Sequence, residues 1–216
     1  MAVIDGHFIW VGLCIILQKR LYGRYNKCMN IKGMLISIIV LEIWGITAVK
    51  RKKLLKSMIY YTQLSNVAGM FSALFLLVFG SADWVIGLRF LSVCMLTMTV
   101  LVTIFILRPM LKNNRALFWS RSGFFLHIVC PLLNLISYFF LEEHAEGIML
   151  FLPAAVTLLY GIIMIYMNYI GKVDGPYPFL RVREQSKKAT VIWIILLLIL
   201  IGFISTVIYW SSAMIK

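Results

Sequence analysis

Two side chains in this sequence have the chemistry of a nucleophile and its base, and both fall inside apolar stretches. Thr62 stands in Tyr60-Tyr61-Thr62-Gln63-Leu64-Ser65-Asn66, where Thr62, Ser65, Asn66, Gly69, Ser72 and Ala73 recur at helical spacing as one polar, small-residue stripe. His127 stands in Phe124-Phe125-Leu126-His127-Ile128-Val129-Cys130-Pro131-Leu132-Leu133-Asn134, where His127, Pro131 and Asn134 share a face. A threonine hydroxyl is a weak nucleophile until a base takes its proton, and a neutral imidazole is such a base. Burial disfavours the imidazolium, so an apolar wall keeps His127 in the form a base needs. An oxyanion formed in the attack needs preorganised donors. Asn66, one turn from Thr62, is the first candidate, with Asn168 and Tyr166 as second choices. Pro131 cannot donate to the carbonyl of His127, which leaves that carbonyl, or Asn134, to orient the ring. No carboxylate is an obvious third member, so a dyad is expected. Each residue also has a plainer reading. Ser65-Gly69-Ala73 suits a small-residue packing seam, an intramembrane histidine suits a hydrogen-bonded packing role, and Tyr166 and Asn168 suit an interfacial belt.

The elements that must position these residues are membrane spans. Of 216 residues, 62% are hydrophobic and 13% charged, and the mean hydropathy is +0.94. A chain of this size cannot hide so much apolar surface from water, which excludes a single soluble globule as well as a disordered chain. Six stretches approach the ~20 apolar residues a span requires, at 33–49, 57–82, 84–107, 117–141, 147–170 and 189–213. The expected fold is all-α: a polytopic membrane protein, one six-helix transmembrane bundle over residues 33–213, with a tight hairpin at Asp83. Ser57 and Arg121 mark the edges of the second and fourth spans, which puts Thr62 and His127 at a similar depth of roughly 8–9 Å.

The 21 Lys and Arg against 8 Asp and Glu give a net charge of +13. In a bilayer protein this excess suits anionic headgroups and no nucleic-acid partner. It alternates by loop. Lys50–Lys53 with Lys56, then Arg108, Lys112 and Arg115, then Lys172, Arg181, Arg183, Lys187 and Lys188 mark three basic loops. The other loops carry Asp83, and Glu142, Glu143 and Glu146. Basic loops stay in the cytoplasm. Residues 1–32 conflict with that rule, because Lys19, Arg20, Arg24, Lys27 and Lys32 would then lie outside. They are read as a basic appendage, either interfacial, a short seventh span or not native, with residues 1–28 expected to be dispensable. Within the spans, Glu42 and Arg89 fall at comparable depth and suggest a structural ion pair. Ser92, Thr99 and Thr103 are read as packing on the Arg89 face. The four cysteines form no CxxC pair, and no helix carries metal-ligand spacing or a phosphate loop, so neither metal nor cofactor is implied.

The order Tyr-Thr-x-x-Ser-Asn, an early Arg in the third span, His-x-x-x-Pro in the fourth, and Asn-Tyr-x-Gly followed by Tyr-Pro resembles the androgen-induced protein / androgen-dependent TFPI-regulating protein family and its bacterial six-span relatives. The likeness covers about residues 33–213. It implies an intramembrane hydrolase of fatty acid esters of hydroxy fatty acids, with the nucleophile at Thr62 and the essential histidine at His127. It also implies membrane lipids and a lipid-like acyl ester as partners, and a bacterial cell membrane as the location. The chain departs from the family in its basic N-terminal extension. It also has Lys172-Val173-Asp174-Gly175-Pro176-Tyr177-Pro178 where the family has a more aromatic Gly-x-Trp-x-Tyr-Pro. The rival function is a non-enzymatic lipid-binding scaffold or small transporter. The distance between Thr62 and His127 separates the two. An intramembrane protease is disfavoured, since no Gly-x-Ser-x-Gly-like element lies in a span.

Overall fold

A computed structural model describes residues 30–48, 56–110 and 120–215. They form six helices long and apolar enough to cross a membrane: α1 (Asn30–Thr47), α2 (Tyr61–Phe79), α3 (Asp83–Met110), α4 (Ser122–Phe140), α5 (Gly147–Tyr169) and α6 (Lys187–Ile215). The protein is an all-α, integral membrane bundle of six helices, with no strand among the described residues. Residues 30–32 open α1; the rest of the expected appendage lies outside the described residues.

The bundle is built around α3. Its apolar window is 67% buried, against 17% for α5 and 22% for α6, and it packs on α2, α4, α5 and α6. Val85, Phe90, Val93, Cys94 and Leu96 are wholly enclosed. The exposed Leu159, Ile199 and Phe203 of α5 and α6 face outward, where lipid is as apolar as a neighbouring helix. Association therefore depends on close packing and polar contacts rather than on escape from water. α1 joins by a separate cluster, with Leu35 and Ile38 against Ala73, Leu76 and Val85. The seam reading of Gly69 is correct for packing: a Cβ there would lie 2.8 Å from Glu42 Oε1.

Local chemistry sets the boundaries. The 57–82 stretch does not helix throughout, because Tyr60 is extended (φ −82°, ψ 132°) and α2 starts after it. Gly80 takes φ +67° and donates its N–H to Leu76 O, closing α2. This left-handed stop costs glycine little. Asp83 then opens α3, where a carboxylate complements the helix N-terminus.

Prolines reshape α3 and α4 in the same way. Thr103–Leu107 and Phe125–Val129 are π-helical, and each ends two residues before a proline, Pro109 and Pro131. Arg108 N–H reaches Thr103 O, and Cys130 N–H reaches Phe125 O. In this i→i+5 register the carbonyl facing Pro131 is Leu126 O, not the His127 carbonyl expected from an undistorted helix. Asn66 Nδ2 donates to that Leu126 oxygen at 3.1 Å.

The segment between α5 and α6 folds back into the bundle as a lid. Gly171 (φ +74°) and Gly175 (φ +76°) make its turns. Asn168 Nδ2 donates to Val173 O at 2.9 Å, and Arg183 N–H donates to Asn168 Oδ1 at 3.3 Å. Tyr177, Phe179 and Leu180 are thereby buried.

Candidate functional site

Two cavities meet at Thr62. One, of about 450 Å³, opens at the end carrying the basic loops, and its wall includes Ser57, Tyr60, Gln63, Ser120, His127 and Arg181. The other, of about 70 Å³, runs deeper between α3, α5 and α6 past Met98, Val102, Ile162, Leu197 and Leu198. Thr62, Leu107 and Tyr177 line both. A polar mouth and a deeper apolar cavity thus share a wall, with the threonine in it.

Thr62 and His127 share the mouth, and each has another hydrogen-bond partner. The Thr62 hydroxyl has Tyr177 Oη at 3.4 Å, and His127 Nδ1 has Thr103 Oγ1 at 3.2 Å. The threonine is held from its backbone side: Ser65 Oγ and Asn66 Nδ2 both donate to Thr62 O, at 3.0 and 2.7 Å. Ser65 also meets Thr99 Oγ1 at 3.0 Å, so that residue couples α2 to α3 as a packing contact.

The secondary candidates separate. Both protons of Asn66 Nδ2 are committed, to Thr62 O and Leu126 O, which ties the amide to the helix junction rather than leaving it for an oxyanion. Asn168 braces the lid. Tyr166 is 61% exposed, on the outer face of α5. Asn134 belongs to another cluster, so it does not orient His127; Thr103 stands at the ring instead.

Tyr177 is the residue that sequence reasoning missed. Its hydroxyl accepts from Thr62 N–H at 3.3 Å while lying beside the Thr62 hydroxyl. Its ring stacks on Phe179 at 5.2 Å and meets Tyr60 edge-on at 5.8 Å. Burial raises its pKa above the ordinary tyrosine value, so it keeps its proton as a donor at neutral pH. The signal was a tyrosine between Pro176 and Pro178 after Gly175, an aromatic on a backbone with little freedom.

The expected Glu42–Arg89 pair takes a different form. Arg89 forms a two-pronged bridge to Glu142, Nε to Oε2 at 2.8 Å and Nη2 to Oε1 at 2.6 Å. Its Nη1 donates to Asn134 Oδ1 at 2.7 Å and to Ser72 Oγ at 3.2 Å. Glu42 is reached only through Asn134, whose Nδ2 donates to Glu42 Oε1 at 3.0 Å. The physical reason lies just past α4, where Glu142 N–H turns back to Ser137 O at 3.2 Å. Ser137 Oγ then donates to the carboxylate at 2.6 Å. A residue read as loop is folded under the guanidinium.

Among the described residues, no three His, Cys, Asp or Glu side chains converge as a metal ion requires. Comparison with protein-family models, curated proteins and solved structures returned no match.

Proposed function

We propose that the protein is an intramembrane lipid-ester hydrolase acting on a fatty acyl ester, with Thr62 as nucleophile and His127 as base. The observation that carries this reading is the shared wall: a hydroxyl and an imidazole line one polar mouth, and the same hydroxyl-bearing residue lines a deeper apolar cavity. The likeness of the Thr62 and His127 motifs to the androgen-induced protein family supports the same assignment. In the reaction, Thr103 Oγ1 steadies the ring at Nδ1, and the imidazole takes the Thr62 proton as the oxygen attacks the ester carbonyl. Tyr177 donates to the resulting oxyanion, the role first assigned to Asn66. Collapse expels the alcohol, which takes the proton back from His127. Water, deprotonated by the same imidazole, then attacks the acyl-threonine, and the fatty acid leaves as the threonine oxygen recovers its proton from His127. A rotation of the Thr62 hydroxyl away from Tyr177 must accompany substrate entry. The basic loops face the cytoplasm of a bacterial cell membrane in this reading.

One observation favours a second reading, a non-enzymatic lipid-binding protein: the two reacting groups are hydrogen-bonded to Tyr177 and Thr103 rather than to each other. Labelling of purified protein with a fluorophosphonate, with release of fatty acid from a long-chain ester measured alongside, separates the two. Labelling and turnover present in wild type and absent in folded Thr62→Ala support the hydrolase. Equal turnover in both rejects it.

A further inference from the structure

The mouth holds polar capacity that the Thr62–His127 chemistry does not use. Gln63 is 6% exposed, lines the mouth beside Thr62, and its Oε1 has no hydrogen-bond partner. Leaving a buried amide oxygen unpaired is costly, and an occupant that supplies the missing bond removes that cost. Arg181 lines the same mouth. Its Nη1 is 3.3 Å from Glu184 Oε2, while its Nε is buried without a partner. The N-terminal turn of α4 adds Ser120, Ser122 and Gly123 to the wall, and a helix N-terminus favours negative charge. Among the described residues this end carries Lys56, Arg108, Lys172, Arg183, Lys187 and Lys188 as well, against Asp174 and Glu184.

These demands select among lipid heads. The basic residues of this end and the unmet Nε–H of Arg181 call for an anion. The orphaned amide calls for a hydroxyl, which satisfies Gln63 whichever way its amide is turned. A fatty carboxylate brings charge but no donor. A phosphocholine head brings a cation to the basic end and adds no donor beyond the lysolipid's own backbone hydroxyl. A phosphoglycerol head brings both, and the mouth is far roomier than a carboxylate requires. The apolar channel is narrow, which suits one acyl chain rather than two.

We propose that the mouth recognises a single-chain phosphoglycerol lipid, of the lysophosphatidylglycerol class, with phosphate at Arg181, a glycerol hydroxyl at Gln63 and the chain in the channel past Thr62. This rests on reading the joined cavities as an amphiphile site, and does not require hydrolysis. The test uses the full chain in a nonionic detergent and ether-linked lipids that no esterase can cleave. Affinity is measured for 1-O-alkyl-lysophosphatidylglycerol, its choline counterpart, a monoalkylglycerol and a long-chain alkyl methyl phosphate. The phosphoglycerol lipid should bind at least tenfold more tightly than each of the others. Arg181→Gln, at an exposed rim position, should remove the preference over monoalkylglycerol. Gln63→Leu should remove the preference over alkyl methyl phosphate. Affinities within threefold across the wild-type panel overturn the proposal, even if a variant fails to fold, as do folded variants that keep both preferences. Displacement of the lipid by equimolar free glycerol 3-phosphate overturns the lipid assignment in favour of a soluble phosphate ester. Head preference without ester turnover rejects the hydrolase alone, and turnover without head preference rejects this inference alone.

Discussion

The two polar regions of the bundle differ in how their hydrogen bonds are spent. At the acidic end, Arg89, Glu142, Asn134, Ser72 and Ser137 consume one another's capacity, with Glu42 Oε2 left over beside them. At the basic end, Thr62, His127, Tyr177, Gln63 and Arg181 surround space, and Gln63 Oε1 and Arg181 Nε have no partner. Polar groups are expensive in a membrane interior, so both regions require a reason. A saturated cluster is explained by packing. Unmet capacity in residues that line a cavity is explained by a ligand. Burial alone does not separate them, since Glu42, Asn66 and Asn134 are all fully enclosed.

The sharpest way to break this contrast is to remove a group from each region and read activity and stability together. Thr62→Ala and His127→Ala should each reduce ester turnover to background while leaving the unfolding midpoint close to wild type. Arg89→Met should do the reverse. It leaves Glu142 as a buried, uncompensated charge, a destabilisation of about 3–5 kcal/mol, read by equilibrium unfolding in mixed micelles. A stable, fully active Arg89→Met protein would mean that the acidic-end cluster is not structural.

Tyr177→Phe sharpens the comparison within the basic end. If the hydroxyl serves the oxyanion, kcat should fall by about 10²–10³ with little change in KM, because the donor acts on charge that exists only after attack. A change confined to KM would make Tyr177 a wall of the mouth and nothing more.

What the sequence discloses and what it hides follows from the range of each signal. The six spans were legible because hydropathy is summed locally, and Gly80 and Asp83 punctuate the hairpin in plain view. Thr62 and His127 could be placed at one depth from rise per residue alone. Tyr177 and Glu142 were hidden because each reaches its partner through a chain reversal, the lid between α5 and α6 and the turn after α4, and no periodicity reports where a reversal points. The orphaned carbonyl was misassigned to His127 because Pro131 was read against an α-helical register. The π-helical turn moves the deficit to Leu126, where Asn66 answers it. That is also why Asn66 reads as a catalytic donor in sequence and as a helix-junction brace in three dimensions. Asn66→Ala should therefore cost about 1–3 kcal/mol of stability through the exposed need of Leu126 O. Its kcat loss should be smaller than that of Tyr177→Phe.

The smallest effect is expected at Glu42, and it tests how the acidic-end cluster is wired. Glu42 Oε1 accepts one hydrogen bond, from Asn134 Nδ2, and that amide already donates to Cys130 O as well. Arg89 reaches Glu42 only through Asn134, while its own charge is met by both oxygens of Glu142. The amide oxygen of glutamine can accept the same bond, so Glu42→Gln should change stability by less than about 1 kcal/mol. In double-mutant cycles, Glu42→Gln with Arg89→Met should be nearly additive, whereas Glu142→Gln with Arg89→Met should show a coupling above about 1 kcal/mol. A larger coupling at Glu42 than at Glu142 would restore the direct Glu42–Arg89 pair and reduce Glu142 to a surface ligand of a guanidinium already neutralised from within.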